Sequence, residues 1–146
     1  MRNTIDNTIQ YVTSLTHCFC TGDINAAILA ILLDLGFSVQ CEGFTHLRLA
    51  IERKYICPQY RCQDIYEAVS SAYDGTTTPC QIEQAIRSAI DSAWNIGAQE
   101  QWDLLFPSKQ SSRRKRPSNL EFISRVACIL ELWASCRRSD MNYSQE

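Results

Sequence analysis

The sequence predicts an all-α fold, and three observations carry that prediction. Alternation of apolar and polar residues at a strand period is nowhere sustained. The stretch "DGTTTPCQIEQAIRSAIDSAW", residues 74–94, sets Ile82, Ala85, Ile86, Ala89, Ile90, Ala93 and Trp94 at the offsets of one buried helix face. Gly and Pro divide the rest into segments of helical length. At 146 residues, 45% hydrophobic and 21% charged, the chain has the size and composition of one globular domain with room for a core.

Residues 1–22 read as a short N-terminal extension, in which Ile5, Ile9 and Val12 hint at an amphipathic helix able to dock on the domain or on a partner. Polar residues interrupt it throughout, so it does not resemble a secretory signal, and the chain is expected to stay in the cytoplasm. "GDINAAILAILLDLGF" predicts a helix capped by Asp23 and stopped by Gly36. Its run "AAILAILL" is too short to span a bilayer and reads as a fully buried core helix, so no membrane partner is expected. "GFTHLRLAIERKY" predicts a second helix with Phe44, Leu47, Ala50 and Ile51 inward and Arg48, Glu52 and Arg53 outward. "CPQYRCQ" breaks the pattern, and "DIYEAVSSAY" resumes it with Ile65, Val69, Ala72 and Tyr73. After the long patterned helix come a short helical patch around "QWDLLF", a polar loop "PSKQSSRRKRP" and a last helix "NLEFISRVACILELW". The domain is expected over residues 23–138, followed by a polar tail at 139–146.

Between Tyr73 and Pro79 lies the punctuation of a helix-turn-helix. Gly75 can take the left-handed conformation that ends a helix, because it has no side chain to clash. Thr78 then fits the N-cap, Pro79 the first helical position, where no amide hydrogen is needed, and Gln81 the third position of a capping box. A second helix so fixed presents its N-terminal half to the DNA major groove. Its exposed face carries Cys80, Gln84, Arg87, Ser88 and Asp91. The plainer alternative is that Glu83 and Arg87, four apart, only pair on the surface, an interaction worth ~0.3–0.5 kcal/mol.

Charge is distributed unevenly. Residues 1–100 hold 6 Lys or Arg against 11 Asp or Glu, whereas residues 101–138 hold 8 against 3. "RRKR" at 113–116 is the densest part of this basic pole, and it is either a solvated loop or a phosphate contact. Eight cysteines stand at 18, 20, 41, 57, 62, 80, 128 and 136, and a reducing compartment favours free thiols. "HCFC" and the pair Cys57 and Cys62 lack the two-residue gap usual in zinc knuckles, so neither a metal nor another cofactor is expected. Two histidines far apart and no nucleophile motif leave an enzyme without assignable residues.

Three stretches, "LLDLGFSVQCEGFTHLRLAI", "PCQIEQAIRSAIDSAW" and "RPSNLEFISRVA", in this order, resemble the C-terminal DNA-binding domain of stage zero sporulation protein A, the response regulator of endospore-forming bacteria. The resemblance covers roughly residues 24–132. It implies a six-helix bundle containing the helix-turn-helix, and sequence-specific binding to double-stranded operator DNA, often by tandem copies, to regulate transcription. Carried over position by position, it implies that Glu83, Gln84, Arg87 and Ser88 read bases. Thr77, Thr78, Arg113, Arg114, Lys115, Arg116 and Asn119 would then meet the DNA backbone. Gln84 stands where the family usually has Arg and Ser88 where it often has His, which implies altered specificity. The family also joins this domain to a phosphorylatable receiver, for which about 22 upstream residues leave no room. Two functions follow: a regulator without phosphorelay control in cis, or an antagonist that caps or mixes with a full-length regulator and binds DNA weakly itself.

Overall fold

A computed structural model of the chain describes residues 10–12, 23–107 and 115–143. It contains α1 (Ile24–Asp34), α2 (Glu42–Ile56), α3 (Cys62–Ala72), α4 (Pro79–Ile96), α5 (Gln99–Leu105) and α6 (Asn119–Tyr143). Residues 10–12 are helical as well, so the expected count of six is one too low, and no strand occurs among the described residues. The short N-terminal helix hinted at by the sequence is described in part, at residues 10–12, and is tied to the fold. Tyr11 and Val12 are buried, and the Tyr11 hydroxyl donates to Asp34 at 2.7 Å. Ile5 and Ile9 lie outside the described residues.

Each helix starts and stops for local chemical reasons. The Asp23 carboxylate accepts from the Asn25 amide at 2.9 Å, and α1 ends at Gly36, whose φ is +93°. The end of α2 is held by Lys54, whose ammonium donates to the carbonyls of Pro58 and Tyr60, both at 2.8 Å. At the start of α3 the Arg61 amide donates to Asp64, which holds that carboxyl below its ordinary range. α3 ends in two left-handed residues, Asp74 and Gly75, with the Gly75 amide on the Ser70 carbonyl at 3.1 Å. The Ser70 hydroxyl donates to the Thr77 carbonyl at 2.6 Å and locks the turn. Thr78 and Gln81 then form the expected reciprocal box, with Pro79 first in α4.

α2 is the hub: it packs against α1, α3, α4 and α6. Position 43 lets α4 approach it. A β-carbon on Gly43 would fall onto the Ala85 carbonyl oxygen and 2.9 Å from the Ala89 β-carbon, so only Gly fits there. One buried polar residue interrupts the hub's apolar face: His46, set edge-on to the Tyr73 ring at 5.1 Å, with neither nitrogen hydrogen-bonded. α5 contributes Trp102, fully buried among Phe37, Trp94, Phe106 and Phe122, with ring centroids 5.2–6.1 Å away. Its indole N–H donates to the carbonyls of Leu35 and Ala93, joining the ends of α1 and α4.

Two expectations need correction. α1 is not fully buried: Ala27, Ile28, Ile31 and Leu32 face the core, but Leu29 and Leu33 are 38% and 49% exposed. On its outer side Arg48 meets Asn25 and Tyr11 meets Asp34, but an unbroken apolar run still buries only the stripe that its neighbours cover. On α3, Ala72 is exposed and Tyr66 is buried instead, while Tyr73 is half-buried with its ring against His46 of α2. The expected inward residues of α2 and α4 are buried, apart from Ala85 and Trp94, which are half-buried.

Candidate nucleic-acid interface

Alternate faces of α4 have opposite fates. Ile82, Ile86, Ala89, Ile90 and Ala93 are buried, which leaves Glu83, Gln84, Arg87, Ser88 and Asp91 exposed along the opposite side. All four expected base-reading residues therefore share one solvent-facing row in the first three turns. Among the described residues neither Glu83 nor Arg87 forms an ion pair, so the anticipated surface pair is not made. The Gln84 amide reaches back to the Cys80 sulfur, 3.8 Å away.

The expected backbone contacts divide into three kinds. Thr77 and Thr78 stand at the start of α4, the first half-buried, the second with its hydroxyl engaged by the Gln81 amide at 3.2 Å. Arg113 and Arg114 lie outside the described residues, and Lys115 is exposed. Arg116 and Asn119 bind the protein itself. The Arg116 guanidinium is paired with Asp91 on α4. The Asn119 side-chain amide donates to the Tyr66 hydroxyl and to the Glu83 carbonyl, each at 3.1 Å.

These ties enclose a cleft of about 240 Å³ between the starts of α3, α4 and α6, where Glu83 and Arg87 meet Arg116, Ser118 and Asn119. Ser118 caps α6, its hydroxyl accepting from the Glu121 amide at 3.2 Å. Burial pushes the Tyr66 hydroxyl well above its ordinary range; the neighbouring Cys62 adds to the rise, and the donated Asn119 hydrogen bond opposes it. The cleft thus holds a neutral phenol at its base and two guanidiniums at its rim. Sequence reasoning assigned no role to Tyr66, Ser118 or Asp91. Only Ser118 carried a local signal, since Ser followed three residues later by Glu121 is a capping pattern.

The sequence profile of the family "Sporulation initiation factor Spo0A C terminal" matches residues 28–130. The chain belongs to that family. Spo0A C-terminal domains are DNA-binding effector domains of a transcription regulator, a family that is not one of enzymes. The match runs from α1 into α6 and so takes in the α3–α4 turn and the cleft. Among the described residues no group of His, Cys, Asp or Glu is placed to hold a metal ion. No described helix is long and apolar enough to cross a membrane.

Proposed function

We propose that this Spo0A C-terminal family member is a sequence-specific transcription regulator in which α3 and α4 act as a helix-turn-helix and α4 enters the major groove of operator DNA. One observation carries the reading: Glu83, Gln84, Arg87 and Ser88 share the exposed row of a helix whose start is fixed by a complete capping box. Arg87 can bridge guanine O6 and N7, Gln84 adenine N6 and N7, and Glu83 can accept from a cytosine amino group. Lys115, with Arg113 and Arg114 before it, supplies charge for phosphates. Residues 23–138 form the DNA-binding unit, and a second copy bound in tandem is its natural partner on an operator.

The test is selection of bound duplexes from a random pool, followed by a salt titration on the selected sequence. A shared motif, with affinity falling linearly in log–log form with salt, is the expected result. Recovery of no motif would overturn it. A second reading, an antagonist of a full-length regulator, is favoured by the exposed Leu29 and Leu33, one turn apart on α1. In that case the pool yields no motif while the protein still binds a full-length regulator in pull-down.

A further inference from the structure

Arg116 belongs to the basic run, yet its charge is spent inside the molecule. Its side chain is only 24% exposed and is paired with Asp91, which is 52% exposed on the same row of α4 as Arg87. Three residues on, Asn119 donates to the Glu83 carbonyl. Positions 83 and 91 are eight residues apart, about 12 Å along the helix axis. An extended segment of three residues covers about 10 Å. Residues 116–119 therefore run antiparallel to α4, fastened at both ends, with Pro117 buried between the two fasteners. Lys115, which is exposed, joins this segment at the Asp91 end.

We propose that Asp91 is a positioning residue for DNA binding: by holding Arg116 it fixes where the adjoining Lys115 stands beside the reading face. This rests on the DNA-binding reading above. Asp91 is an acid on a surface that would meet a polyanion, so on charge alone its removal should tighten binding to every sequence. Positioning makes the opposite demand. Phosphate contacts set the register of a protein on its duplex, and a basic segment free to wander still attracts DNA but no longer sets that register.

The experiment compares the wild type, Asp91→Ala, and the charge exchange Asp91→Arg with Arg116→Asp. Without DNA, backbone order is followed by 15N relaxation at the Lys115, Arg116 and Ser118 amides; with DNA, affinities are measured for a selected site and for random duplex at one salt concentration. In Asp91→Ala, the order parameters at these amides should fall from the rigid range of about 0.85 toward about 0.6 as the fastening opens. Affinity for the selected site should fall about five- to tenfold while random duplex binds equally or more tightly, and the charge exchange should recover both order and preference. Unchanged order parameters, tighter binding to both duplexes, or a charge exchange that recovers nothing would each overturn the proposal. A wild type that selects no DNA motif would overturn the functional reading and this role together, while lowered order parameters in Asp91→Ala would still register the fastening.

Discussion

At the scale of single residues the molecule separates side chains that face solvent from side chains consumed by the fold, and the separation crosses the sequence-based grouping. Arg87 is on the solvent side, with no ion pair among the described residues. Arg87→Ala should lower affinity for a selected operator by ~1–3 kcal/mol and relax preference at one base pair, as expected when a bidentate guanine contact is removed. A competition assay with one base pair varied at a time measures it, and intact discrimination would remove Arg87 from the reading set. Tyr66 is on the other side, and its raised pKa makes a pH prediction. The folded chain keeps the phenol proton at a pH where the unfolded chain, titrating near its ordinary value of about 10, has lost it. The contribution of Tyr66 to stability is therefore complete below about pH 10 and declines as pH rises above that. Tyr66→Phe should show a shallower loss of stability between pH 9.5 and about 11 than the wild type in denaturant titrations, because Phe has no proton to lose. Equal slopes would show that Tyr66 ionises alike in both states.

At the scale of elements, what was legible is what depends on neighbours in sequence. The box at Thr78 and Gln81, the cap at Asp23, the stop at Gly36 and the buried stripe of α4 all follow from groups within four residues of one another. The exposed row bearing Glu83, Gln84, Arg87 and Ser88 was legible for the same reason. What escaped depends on partners far along the chain: Asn119 on Tyr66 across 53 residues, Arg116 on Asp91 across 25, and Trp102 on Leu35 across 67. The exposure of Leu29 and Leu33 escaped likewise, since an apolar run does not say which of its sides a neighbour will cover. Gly43 belongs with these long-range features, because its need for glycine arises from the Ala85 carbonyl and the Ala89 β-carbon of another helix. Gly43→Ala should destabilise the domain by ~1–3 kcal/mol through overpacking, despite the gain in helix propensity. Thermal or urea denaturation reads the effect, and a stabilised variant would mean that α2 and α4 part easily.

At the scale of the whole molecule, the first hundred residues are net acidic and the segment after them is net basic. With Arg116 neutralised by Asp91, the charges left for phosphates are Arg113, Arg114 and Lys115. Replacing these three with Ser should weaken binding to every duplex, the selected site most, and lower the salt slope by up to about 0.9 for each phosphate that is no longer neutralised. An unchanged slope would assign the run to a solvated loop. Recognition of an operator stands on α4 reading bases, and position 84 tests it most directly, because Gln and Arg on the same exposed row should prefer different bases. The measurement is a competition assay over operators varied at every base pair, run at one salt concentration on the wild type and on Gln84→Arg. Base reading by α4 predicts that one base pair changes preference from A to G and that the variant binds G-containing operators more tightly by ~1–2 kcal/mol. Identical base-preference profiles for the two proteins would contradict it.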